Sequence, residues 1–167
     1  MAITNNPFDS AFGFSIDNSV VLSNNKDLQN INSISVQNSN YTDAIKKDYI
    51  LKGIDTSFLT TDGANLLSLS SDTINFIDSR IVGVNLDGSG YYSVKFETTL
   101  TVSSIGDVVK RSEIKTTISD QVPSGQIWTV SEYDSGLANQ YTLSTSRTGD
   151  PDTVKWIAYI QIISVSL

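Results

Sequence analysis

Residues Tyr91 to Val102 read YYSVKFETTLTV, and the pattern of this stretch decides the fold. From Tyr92 the even positions are Tyr92, Val94, Phe96, Thr98, Leu100 and Val102. The odd positions are Tyr91, Ser93, Lys95, Glu97, Thr99 and Thr101. A period of two sustained over this length predicts a half-buried strand, with one face on a core and the other on water. Burying each large side chain of the apolar face contributes about 1.5–3 kcal/mol.

Working outward, the turn LDGSG (Leu86 to Gly90) precedes this strand. The turn SSIGD follows it and leads into VVKRSEIKTTIS (Val108 to Ser119), which reads as the hairpin partner. Arg111, Glu113 and Lys115 are expected on the solvated face of that partner, across the ladder from Lys95 and Glu97. Such pairing sets register and adds little stability. Upstream lie DYILK (Asp48 to Lys52), NLLSLSS (Asn65 to Ser71), TINFID (Thr73 to Asp78) and RIVGVNL (Arg80 to Leu86). Short runs separated by Asp, Gly or Ser are the punctuation of an all-β domain. One stretch, YTDAIKKDYI (Tyr41 to Ile50), has helical character, with Thr42 or Asp43 as cap before Ala44 and Ile45.

The last run, TVKWIAYIQIISVSL (Thr153 to Leu167), is apolar on both faces. Val154, Trp156, Ala158, Ile160 and Ile162 fall on one side, and Ile157, Tyr159, Ile163 and Val165 on the other. A strand of this kind is expected either centrally in a sandwich or between this subunit and another. Residues 1–47 differ from the rest, holding nine of the thirteen asparagines. Asn and Asp bond to their own nearby backbone and so favour turns. Two short strands are expected there, in SVVLS (Ser19 to Ser23) and SISVQ (Ser33 to Gln37). The fold expected is all-β, an antiparallel β-sandwich of jelly-roll-like type over residues 48–167, preceded over 1–47 by an Asn-rich arm or irregular layer with short strands.

A chain of 167 residues with 39% apolar and 17% charged residues suits one core beneath a surface of hydroxyls and amides. The 18 acids outnumber the 11 bases, and the pI near 4.3 opposes binding to a phosphate backbone, so nucleic acid is not expected as a partner. No run approaches the roughly 20 apolar residues of a membrane span, so no membrane partner is expected. The opening residues MAITNNPFDS lack the basic flank and apolar core of a secretion signal, which predicts synthesis in the cytoplasm. The absence of cysteine excludes disulfides and thiolate metal sites.

With no histidine in the chain, the Ser-His-Asp relay, the Cys-His pair and the His-based zinc site are excluded. Paired carboxylates remain, and the glutamates are Glu97, Glu113 and Glu132. Glu97 and Glu113 sit on strand positions with basic neighbours and show no sign of desolvation, which argues against acid–base catalysis. The S-x-x-K spacing of Ser112 and Lys115 needs a helix to bring both side chains to one face; on a strand they point apart. Asp87, and Asp150 with Asp152, sit in tight loops without the ligand set of a calcium loop. No Gly-rich phosphate loop precedes a helix. The expectation is therefore a chain that is not an enzyme and has no cofactor or metal.

Aromatic residues supply the candidate contacts. Trp128, Trp156, Tyr159 and Ile163 are candidates for subunit contact, with core packing the alternative for the two tryptophans. Tyr91, Tyr133 and Tyr141 are candidates for stacking on a sugar ring.

The segment VPSGQIWTV (Val122 to Val130) predicts a corner and a strand: Pro123 presets φ, Gly125 accepts a positive φ, and Ile127 to Val130 begin the strand. It resembles a V-P-x-G-x-x-W-x-V phrase found in small β-sandwich proteins of tailed-phage particles, the resemblance running from Val122 through the last strand. That resemblance implies an accessory virion protein, such as a capsid decoration, head-fibre or tail-fibre component. It implies a structural role on the bacteriophage particle, with itself as a homo-oligomer and other virion proteins as partners. The alternative is a carbohydrate-binding or receptor-binding module of a phage fibre, with a surface glycan as ligand.

Overall fold

The structure, a computed structural model, describes residues 14–16, 19–22, 33–63, 65–133, 136–149 and 153–167. Contacts divide the chain into two units, residues 1–32 and 33–167. In the first unit β1 (Phe14–Ile16) and β2 (Ser19–Leu22) form an antiparallel pair.

The second unit is built from two antiparallel sheets. The larger has six strands in the order β3 (Ser33–Asn38), β4 (Tyr41–Ile54), β12 (Val154–Ser166), β7 (Thr73–Asn85), β8 (Tyr91–Val102) and β9 (Val108–Gln121). The smaller runs β10 (Ile127–Tyr133), β11 (Gln140–Thr148) and β5 (Ser57–Phe58), with β6 (Leu67–Ser68) also paired to β11. Side chains from both sheets form one core, so the expected antiparallel β-sandwich is the architecture observed.

The alternation that predicted β8 is realised in full: the side chains at every even position from Tyr92 to Val102 are buried. β8 pairs with β9 as predicted, and Gly125 turns with φ +84° where Gln126 N donates to Pro123 O at 3.1 Å. Two sequence expectations change. TINFID and RIVGVNL are one strand, β7, because Ser79 stays in the ladder opposite Ile160 and turns its side chain into the core. YTDAIKKDYI is strand β4 and contains no helix. Its backbone is laddered on one side to β12 and over Tyr41–Tyr49 to β3 on the other, and that pairing overrides a weak local helical preference. The six-stranded sheet thus takes in residues 33–47, which composition had grouped with the arm.

The centre of the core is aromatic. Trp156 meets Trp128 edge-on at 6.0 Å between ring centroids and Tyr92 at 6.3 Å. Both indole N–H groups are satisfied, Trp156 Nε1 donating to Asp55 O at 3.0 Å and Trp128 Nε1 to Gln126 Oε1 at 2.8 Å. Gly83 stands opposite Trp156 in the ladder, and a Cβ placed there would lie 2.4 Å from the indole, so the ring occupies the space a side chain would need. At the other end of β7 the buried polar side chains close on one another. Ser164 Oγ donates to Asn75 Oδ1 at 2.5 Å, Asn75 Nδ2 to Thr73 Oγ1 at 2.9 Å, and Thr73 Oγ1 to Ser70 O at 2.7 Å.

Candidate functional site

Two features of the sandwich stand apart from ordinary packing: a carboxyl cluster around the buried Glu132 on its β9–β10 side and the open outer face of its larger sheet.

The carboxyl cluster originates in a β-bulge. Lys110 pairs with Leu100 and Ser112 with Thr99, which leaves Arg111 as an extra residue in β9. The insertion shifts the alternation by one. Lys110 and Glu113, which a regular strand would send to opposite sides, both turn to the inner face, opposite Leu100 and Thr98. Lys110 Nζ bonds Glu113 Oε2 there and stands 3.2 Å from Glu132 Oε2 on β10.

The Glu132 side chain is only 5% exposed. Its Oε1 accepts from Thr98 Oγ1 on β8 and from Tyr141 OH on β11 at 2.7 Å, while Oε2 has no aligned hydrogen-bond donor. Burial pushes the Glu132 carboxyl above its ordinary range. The Lys110 hydrogen bond holds Glu113 below its own range, and the same bond raises Lys110. Burial, reinforced by the Glu132 charge, drives the Tyr141 phenol well above its ordinary value. Two glutamates that share Lys110 are thus pushed apart in acidity by their surroundings.

This corrects the sequence expectation for Glu113 and Lys115. Both stay exposed, but they lie on the opposite side of the sheet from Lys95 and Glu97. Lys115 pairs with Phe96 on the inner side, places Nζ 5.4 Å from the centroid of that ring and donates to Val130 O at 2.6 Å. Sequence reasoning named Glu132 but did not pair it, because no local pattern announces that a glutamate in β10 will share a lysine with one in β9.

The second feature is the outer face of the six-stranded sheet. Ile157, Tyr159 and Ile163 of β12 lie on it, beside Ile50 of β4 and Phe76 and Val82 of β7, each 42–57% exposed. A polar belt crosses the face. Asp48 pairs with Lys46 at 3.0 Å and accepts from Tyr159 OH at 2.7 Å. Lys95 pairs with Asp78 at 3.2 Å and with Glu97 at 2.5 Å.

The candidate contact residues therefore divide. Tyr159 and Ile163 are on this open face, whereas Trp128 and Trp156 are 3% and 1% exposed and have no surface to offer a second subunit. Their bulk fills the space between the sheets instead. Of the candidate glycan-stacking residues, Tyr91 is exposed and Tyr141 is buried against Glu132, which removes it from that role. The Tyr133 side chain lies outside the described residues, as do Asp150 and Asp152. Asp87 accepts from Ser89 N at 2.9 Å in the β7–β8 turn. Ser112 and Lys115 face opposite sides of β9, as the strand reading required.

No family model matches the chain, and no curated protein matches it. Among solved structures it is similar to the tailspike protein gp49 of Acinetobacter baumannii bacteriophage Fri1, a capsular polysaccharide depolymerase. Identity is 14% and the TM-score 0.45, over 81% of this chain and 20% of the tailspike. The chain thus spans a fifth of that protein's length.

The expectation that the chain is not an enzyme is withdrawn. The similar tailspike is an enzyme, and Glu113 shares Lys110 with Glu132 rather than facing Glu97.

Proposed function

We propose that the chain is a self-associating β-sandwich module of a tailed-phage particle, and that a second copy of itself covers the outer face of its six-stranded sheet. The observation that carries this reading is the apolar outer side of β12, a central strand whose Ile157, Tyr159 and Ile163 are left in water. Exposed apolar surface of that extent on a folded domain marks an interaction site.

Size supports the reading. Strands about 3.3 Å per residue long and about 4.8 Å apart give a face of order 1,000 Å², against the roughly 800 Å² per partner of a stable interface. Charge supports it as well. Asp48, Asp78 and Glu97 already have basic partners within the face, so covering them strands no lone carboxylate. The place on a phage particle follows the VPSGQIWTV resemblance, and the tailspike similarity agrees with it.

Sedimentation of the full chain tests the association. The wild type should run as a dimer or larger, and Ile157→Glu with Ile163→Glu should run as a folded monomer. A wild type that stays monomeric at high concentration would refute the reading. Mass spectrometry of purified particles, finding the chain in them, tests the virion assignment.

A further inference from the structure

A groove at one end of the sandwich carries a conclusion that goes beyond self-association. We propose that it is a binding site for a carboxylate-bearing sugar, with Lys52 and Lys155 as the two cations that hold the acid group.

The groove has a volume of about 800 Å³, within the range of small-ligand sites, and lies where β4 ends and β12 begins. Its floor is the outer face of those two strands. Lys155 stands opposite Ile54 in the ladder and Ile157 opposite Lys52, so lysines and isoleucines occupy alternate corners of one square. Residues 57–63 form the wall, which includes Phe58, 46% exposed, and the hydroxyls of Thr60 and Thr61. That wall is in place before any ligand arrives. Lys52 and Thr60 exchange backbone hydrogen bonds at 2.9 and 3.0 Å, and Leu59 N donates to Leu143 O at 2.9 Å. A Cβ at Gly53 would lie 2.5 Å from Ser57 Oγ and 2.6 Å from Leu59 Cδ2, so the glycine lets the wall pack closely on β4.

Charge indicates what the groove takes. The chain has a net charge of -7, yet the carboxylates on this face of the sheet are already paired: Asp48 with Lys46, and Asp78 and Glu97 with Lys95. Lys52 and Lys155 have no ion-pair partner among the described residues. They are diagonal neighbours across the ladder, about 7–8 Å apart, and like charges that close destabilise one another unless an anion lies between them. Asp62, the acid in the wall, is turned to its own loop, where Asn65 N and Nδ2 donate to its two oxygens at 2.9 and 2.6 Å.

The rest of the lining narrows the anion. Isoleucine and phenylalanine surfaces beside hydroxyls suit the apolar face and the OH groups of a sugar ring. Among the described residues neither an arginine nor a helix N-terminus lines the groove, and these are the devices that favour phosphate. An acidic peptide has no strand edge to join there, because Thr60 already fills the edge of β4 beside Lys52. Of the apolar residues assigned above to contact with a second copy, Ile157 alone also lines the groove, so the two sites meet at that one side chain.

The test titrates the full chain with three acidic probes, trigalacturonate, a hyaluronate tetrasaccharide and sialyllactose, while NMR follows the backbone amides. At least one probe should bind and shift residues 52–63 and 155–157, with affinity falling as salt rises. The methyl ester of that probe lacks the charge and should bind at least about tenfold more weakly. The acid itself should lose about as much on Lys52→Gln or Lys155→Gln, two exposed positions where the change leaves the fold intact. No binding by any of the three acids, equal binding of acid and ester, or shifts confined to other residues would overturn the proposal. Inorganic phosphate or hexaglutamate held in the groove as tightly as the best acidic sugar would overturn it too.

Discussion

The two faces of β12 are almost equally apolar, yet they meet different fates. On the inner side Val154, Trp156, Ala158, Ile160 and Ile162 are buried against β10, β11 and the segment around Leu59, whereas on the outer side Ile157, Tyr159 and Ile163 face water. The difference teaches that hydrophobic content alone does not say which surface a chain covers for itself. The inner face is completed by directional devices: satisfied indole N–H groups, a glycine that vacates space for Trp156, and closed polar side-chain pairs. The outer face has side chains, an ion-pair belt and, among the described residues of 33–167, no second layer.

Replacing Trp156 with Ala should break the inner side most severely. Removing a fully buried indole leaves a cavity beside Trp128 and Tyr92, and a loss of about 3–5 kcal/mol is expected by denaturant titration. Gly83→Ala should act in the same place with less force. Its Cβ would enter the indole, and the shift needed should cost about 1–3 kcal/mol in the same assay. On the outer side, Ile157→Ser should change the stability of the isolated monomer by no more than about 0.5 kcal/mol while weakening association in sedimentation. Equal losses of monomer stability from the inner and outer substitutions would erase the contrast.

Much of this architecture was legible in local pattern. The alternation of Tyr92 to Val102 marked β8 residue by residue, and the two-sided run of Thr153 to Leu167 marked a strand either central in a sandwich or between subunits, of which the fold shows the central position. Helical character in Tyr41–Ile50 misled because the pairing that makes it a strand comes from β12, more than a hundred residues away. The carboxyl cluster was illegible for a related reason. Its members come from β8, β9, β10 and β11, and the bulge at Arg111 reverses the side to which Glu113 points. Glu97 and Glu113 appeared on one solvated face in sequence; in the fold only Glu113 turns to the inner side, where it shares Lys110 with Glu132.

The bulges of β9 also bear on how this chain tolerates change in length. β9 has fourteen residues against the twelve of β8, and the surplus is Arg111 and Ile118, the two positions without a partner across the ladder. Deleting Arg111 would leave Leu100 opposite Lys110 and Thr98 opposite Glu113, now at ordinary strand spacing and still side by side. A chain shortened by that one residue should therefore keep the Lys110–Glu113 pair of its parent, while loss of Ser112 in its place would leave Arg111 to fill the gap and reach the same register by another route.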